Sequence, residues 1–80
     1  MKIRILAFGV VKEFMNSSSL EMDVQEAITV AALKAEFEAL YPEIKKLKTY
    51  LVAVNDTYAG DDETVDANAE VAIIPPVSGG

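Results

Sequence analysis

Between Thr29 and Pro42 the chain carries its one long helical signature, and that single stripe limits what the rest can be. Val30, Leu33, Phe37, Leu40 and Tyr41 fall within about 100° of arc at 3.6 residues per turn, with alanines and glutamates opposite. Thr29 suits an N-cap, because its hydroxyl can accept from the free amides of a first turn. Pro42 disfavours helical geometry in the residue before it. The spacing predicts a helix over 30–41, with Phe37 and its neighbours in the core. One such helix can cover one face of a sheet and no more.

The flanking segments read as strands. Residues 2–10 alternate, with Ile3, Ile5 and Ala7 on one face and Arg4, Leu6 and Phe8 on the other. Both faces are largely apolar, which suits a central strand. A turn of helix over 11–15 and a polar loop over 16–19 follow. Leu20, Met22 and Val24 then alternate with Glu21, Asp23 and Gln25, giving a half-buried partner strand. The first two strands form an antiparallel hairpin with an irregular connection. Further on, 51–54 is a short apolar strand and Asn55-Asp56 a turn, since both residues tolerate positive φ. Residues 57–59 return as a strand, and an acidic connection over 60–68 has Val65 as its large apolar anchor. Residues 71–74 form a last buried strand. The order ββαβββ predicts an α+β roll with one main helix on one face of a mixed sheet.

Eighty residues make one small domain, burying only roughly 60% of the surface that its unfolded chain exposes. A composition 51% hydrophobic and 25% charged is globular rather than disordered. The absence of Cys excludes a disulfide framework, a thiolate nucleophile and a thiolate metal site. The absence of His removes the commonest transition-metal ligand and the usual general base, so no metal site is expected. Thirteen acids against seven bases argue against nucleic acid or an anionic membrane surface as partner. Up to Lys48 acids and bases balance; beyond it stand only Asp56, Asp61, Asp62, Glu63, Asp66 and Glu70. That acidic half is either a solubility device or a means of steering toward a basic partner. Lys2 and Arg4 before an apolar run echo a signal peptide, but the run stops at Lys12-Glu13 without a cleavage site. No apolar stretch approaches the roughly 18 residues of a membrane span, and a cytoplasmic protein is expected.

The chain end is where chemistry is expected. Two prolines, Pro75 and Pro76, cannot donate ladder hydrogen bonds, so they end the last strand and hold the chain extended. Val77 and Ser78 lead to Gly79-Gly80, a carboxylate on the slimmest possible stalk, able to thread a channel too narrow for any Cβ. Residues 1–74 are thus expected as the domain and 75–80 as an extended, flexible tail. A carboxylate is a poor electrophile until ATP converts it to an acyl-adenylate, and the sequence has no phosphate-binding loop. A separate ATP-using partner must activate it. The acyl group can then pass to an amine, making a protein modifier, or take up sulfur as a thiocarboxylate. Without Cys, any sulfur carried would sit on that terminus.

Leu51-Val52-Ala53-Val54-Asn55-Asp56-Thr57, Glu70-Val71-Ala72-Ile73-Ile74 and the ending from Pro75 to Gly80 resemble the small subunit of molybdopterin synthase, a MoaD-like, ubiquitin-like sulfur carrier. The resemblance implies a β-grasp fold and no catalysis by the chain on its own. It implies that a ubiquitin-activating-type adenylyltransferase adenylates Gly80, and that a sulfur donor enzyme supplies a thiocarboxylate there. No bound cofactor is implied; ATP belongs to the activating partner. The sulfur then passes to cyclic pyranopterin monophosphate inside the large synthase subunit, within an expected heterotetramer. Two sulfurs make the dithiolene that holds molybdenum or tungsten.

By the same resemblance, the tail of Pro75, Pro76, Val77, Ser78, Gly79 and Gly80 enters the large subunit, and an apolar patch packs beside it. The matching positions are Phe8, Tyr58 and Ile74; by alternation Phe8 and Ile74 can both lie on the sheet face away from the helix. Tyr58 departs from the family, where that position is often aliphatic. Asn68 stands where the family commonly places Gly; Asn tolerates left-handed geometry, so the turn should survive. A thiamin-type sulfur carrier shares the fold and the Gly-Gly end but is usually shorter and lacks the Pro-Pro-Val-Ser lead-in. A small protein modifier, joined through Gly80 to target lysines, would share the acyl-adenylate chemistry and differ only in the nucleophile supplied. An interaction module with an inert tail would use none of that chemistry.

Overall fold

The computed structural model describes residues 1–47 and 49–76. Strand β1 (Lys2–Ala7) is followed by a short helix α1 (Val10–Met15), strand β2 (Ser19–Asp23) and the main helix α2 (Val30–Leu40). A 3-10 turn at Pro42–Lys46 leads to β3 (Leu51–Val54), β4 (Thr57–Tyr58) and β5 (Glu70–Ile74). The strands lie in the order β2-β1-β5-β3-β4. β1 and β5 run parallel and the other neighbours antiparallel, so the sheet is mixed. This is the ubiquitin-like β-grasp roll, with β1 inside the sheet as its two apolar faces require.

Ile3, Ile5 and Ala7 of β1, Met22 of β2, Val52 of β3 and Val71 and Ile73 of β5 turn inward. Against them pack Val30, Leu33 and Phe37 of α2. Phe37 is wholly buried. Truncating such a side chain costs about 3–5 kcal/mol, a large share of the roughly 5–15 kcal/mol that a domain has.

Turn chemistry fixes the register. Asn55 and Asp56 both have positive φ, 49° and 70°, the requirement of a two-residue type I′ hairpin between Val54 and Thr57. Asn68 also adopts left-handed geometry, with φ 64°, ahead of β5. At the start of α2 the Thr29 hydroxyl accepts from the Ala32 amide at 3.2 Å. The amides of Val30 and Ala31 donate to the carbonyls of Glu63 and Asp61, at 2.8 and 3.1 Å. The acidic segment is therefore stitched to the helix end where the macrodipole favours negative charge. Val65, its apolar anchor, is fully buried.

Some boundaries differ from expectation. β1 stops at Ala7 rather than residue 10, because Gly9, at φ 55° and ψ −132°, turns the chain into α1. α2 ends at Leu40, with Tyr41 as its cap. Leu40, expected in the buried stripe, is exposed, because the last turn of α2 stands at the margin of the sheet beside Leu20 and Met22. Tyr41 remains half-buried, its ring centroid 5.3 Å from that of Phe37. The 3-10 turn and its fully buried Ile44 carry no helical or strand periodicity, and the sequence pattern signals neither them nor the burial of Tyr50.

Candidate partner interface

The sheet face away from α2 can be read row by row, because residues directly opposite on neighbouring strands share a face. Ser19 pairs with Leu6, Leu6 with Ala72, Ala72 with Ala53 and Ala53 with Tyr58, so one row crosses all five strands. In the next row toward the chain end, Leu51 stands opposite Ile74. In the row on the other side, Glu21 faces Arg4 and Arg4 faces Glu70. The outer face is thus divided, apolar toward Pro75 and charged away from it.

Phe8 and Ile74 each follow the paired residues Ala7 and Ile73 by one step, which sets them side by side at the root of the chain end. Phe8 is 48% exposed, Leu51 51% and Tyr58 67%, while Ile74 is half-buried. The structure therefore places Phe8, Tyr58 and Ile74 on one face, with Leu51 and Ala53 joining Ile74 to Tyr58. Leu51 is the member of this patch that sequence reasoning misses. Its signal is parity: it alternates with buried Val52, and the Asn55-Asp56 turn sets the register that brings it opposite Ile74. Directly after Ile74, Pro75 lies against Gly9. Pro76 is exposed, and Val77, Ser78, Gly79 and Gly80 lie outside the described residues.

On the helix side, the Tyr50 hydroxyl donates to Glu38 Oε2 at 2.6 Å. Lys34 Nζ stands 5.3 Å from the Tyr50 ring centroid and 3.0 Å from Asp61 Oδ1. Burial, reinforced by the Glu38 carboxylate, pushes the Tyr50 phenol far above its usual range, so it stays protonated near neutral pH. This cluster ties α2 to the start of β3 and to the acidic segment. Among the described residues no three His, Cys, Asp or Glu side chains are grouped to hold a metal ion. Among them, too, no helix is long and apolar enough to cross a membrane. What the described residues present is an apolar surface beside Pro75.

Known proteins match over nearly the whole chain. The model of the ThiS family matches residues 5–80. The molybdopterin synthase sulfur carrier subunit of Dictyostelium discoideum is 37% identical over 99% of this chain and 96% of its own length. The crystal structure of small archaeal modifier protein 1 from Haloferax volcanii superposes with a TM-score of 0.84 at 21% identity, over 95% of this chain and 98% of that one. Subunits 1 and 2 of the molybdopterin-converting factor from Helicobacter pylori form a solved protein–protein complex. A chain of that complex matches with a TM-score of 0.71 and 18% identity over 100% of both chains. At such identities the two structures speak for the fold alone.

Proposed function

The chain belongs to the ThiS family, and from that footing we propose that it is the sulfur-carrier small subunit of a molybdopterin synthase. Its relatives named for that role support the reading. The observation that carries it is the apolar half of the outer sheet face, where Phe8, Leu51, Tyr58 and Ile74 stand exposed or half-exposed at the root of the chain end. A face of this kind on so small a domain is suited to a partner's cover. The large synthase subunit is that partner, in a heterotetramer, and the residues from Pro75 to Gly80 enter it.

In this reading the Gly80 carboxylate attacks the α-phosphate of ATP on the adenylyltransferase, releasing pyrophosphate and forming an acyl-adenylate. Hydrosulfide, supplied by the donor enzyme, adds to the acyl carbon and expels AMP, leaving a thiocarboxylate and a proton. Inside the large subunit the thiocarboxylate sulfur bonds to a side-chain carbon of cyclic pyranopterin monophosphate as an oxygen leaves. Water then cleaves the resulting thioester, returning a carboxylate at Gly80 and leaving the sulfur on the pterin. The chain's own part is to present the terminus and to hold its partner; the catalytic groups belong to the other proteins.

Intact mass after incubation with the adenylyltransferase, ATP and sulfide tests this. The mass should rise by the difference between one sulfur and one oxygen, with fragmentation placing it on Gly80. A shift on any internal residue would overturn the reading. The Gly-Gly ending carries a second reading, a protein modifier joined through Gly80, because an acyl-adenylate can pass to an amine as well as to sulfur. Isopeptide adducts between Gly80 and target lysines in cells would favour it.

A further inference from the structure

The sheet has two edges, and they are unlike. β4 is only two residues long, whereas β2 runs for five. Val24 donates its amide to the Met1 carbonyl at 2.8 Å, and Ala7 donates to the Ser18 carbonyl at 2.9 Å. In an antiparallel pair the bonded residues alternate, so Leu20 and Met22 are the ones joined to β1. Ser19, Glu21 and Asp23 therefore direct their amides and carbonyls away from the sheet. Ser19 is already occupied: its carbonyl accepts from the Ser17 hydroxyl at 2.7 Å, and its amide lies 3.3 Å from the same oxygen. Glu21 and Asp23 remain as the open part of the edge.

Beside that edge runs a groove of about 540 Å³ between β2 and the last turns of α2. Leu20, Met22, Ala39, Leu40 and Tyr41 give it apolar walls, and Leu40 stands 57% exposed at its rim. Glu36 borders the groove from the helix, and the Glu21 and Asp23 side chains border it from the outer sheet face. Behind Glu21 in the register lies Arg4, and behind Asp23 lies Lys2. The Met1 ammonium also stands 3.3 Å from Asp23. A strand added outside β2 continues these rows, and opposite charges alternate across them only if it brings cations.

We propose that the β2 edge and its groove bind an extended partner segment in which apolar residues alternate with lysine or arginine. Such a segment pairs its backbone with Glu21 and Asp23, sets its apolar side chains against Leu20, Met22 and Leu40, and aims its cations at the two carboxylates. A second copy of this chain fits poorly, because pairing β2 with β2 sets acid against acid. This surface is separate from the apolar half of the outer face, so it is open to a partner while that face is covered.

Heteronuclear NMR titration of the whole chain with a blocked peptide of alternating valine and lysine tests the proposal. The amides of Glu21 and Asp23 should gain protection from exchange, and shifts should gather at Leu20, Met22 and Leu40, with Kd below about 1 mM. Leu40→Lys, a change at an exposed position, should weaken binding by about tenfold or more. A peptide of alternating valine and glutamate should bind at least about tenfold more weakly, and added salt should narrow that gap. Equal binding of both peptides, no saturable shift by about 1 mM, or shifts confined to Leu51 and Tyr58 would each overturn it. So would sedimentation showing dimers that protect the same β2 amides without peptide.

Discussion

Pro75 leaves too little room for a side chain at Gly9: a β-carbon placed there would lie 3.1 Å from Cγ of the proline ring, closer than ordinary van der Waals contact. The same glycine has φ 55°, which side chains rarely adopt. Gly9→Ala therefore meets two penalties, backbone strain and a shift of the ring at the root of the chain end. A loss of about 1–3 kcal/mol is expected, or a fall in Tm of roughly 4–8 °C for each kcal/mol. Thermal denaturation checks it, and an unchanged Tm would mean that the turn relaxes without cost.

The apolar half of the outer face should hold the large synthase subunit. Phe8→Ala and Leu51→Ala remove exposed side chains, so folding should survive, as circular dichroism can verify. Calorimetric titration should show losses of about 2 kcal/mol, or roughly thirtyfold, the scale of central interface anchors. Ile74→Ala should weaken binding too, with some stability cost because Ile74 is half-buried. Unchanged affinity in all three would place the interface elsewhere.

Tyr50 gives the protein an alkaline weakness. Its phenol is raised above the ordinary 10.0 by burial first and by Glu38 second. A folded-state pKa above the unfolded one adds stability below the unfolded value, and that stability is lost as pH rises past it. Denaturant midpoints should therefore fall as pH climbs above about 10. Tyr50→Phe should flatten that fall, while lowering stability near neutral pH by about 1 kcal/mol through loss of the 2.6 Å hydrogen bond. Parallel slopes for both proteins above about pH 10 would assign the weakness to other groups.

Ala27 is the one alanine with left-handed geometry among the described residues, at φ 57° on the approach to α2. Neither a polar side chain nor a missing Cβ eases it. Ala27→Gly should relieve about 1–2 kcal/mol of steric strain against about 0.5–1 kcal/mol of added unfolded-state entropy. A modest gain in stability is the expected result by chemical denaturation, and a loss would show that the turn is unstrained.

Much of this could be read from local chemistry. Thr29, the Asn55-Asp56 pair and Asn68 each specify a backbone geometry by themselves, and each adopts it. The alternation of Ile3, Ile5 and Ala7 separates the two sheet faces, because one side of the sheet is covered by helix. What local chemistry does not encode is lateral order. Leu51 becomes part of the interface only once β3 lies beside β5. Leu40 fits the helical stripe by angle yet stays in water, because a stripe's angle says nothing of where the sheet beneath it ends. Ile44 is a single apolar residue among charged neighbours in a 3-10 turn, where periods of 3.6 and 2 do not apply.

The stitching of Asp61 and Glu63 to the first turn of α2 makes the order of assembly non-local. A nascent chain that has emerged through β4 still lacks both the carbonyls that close the helix start and β5, the strand between β1 and β3. Until that last quarter arrives, the helix must fray at its beginning and the sheet must remain in two pieces. Productive collapse therefore waits for β5, and contacts of this span slow folding relative to helical domains of equal size. Fragments ending before Glu70 should be open to proteases, because they lack the strand that joins the two halves of the sheet.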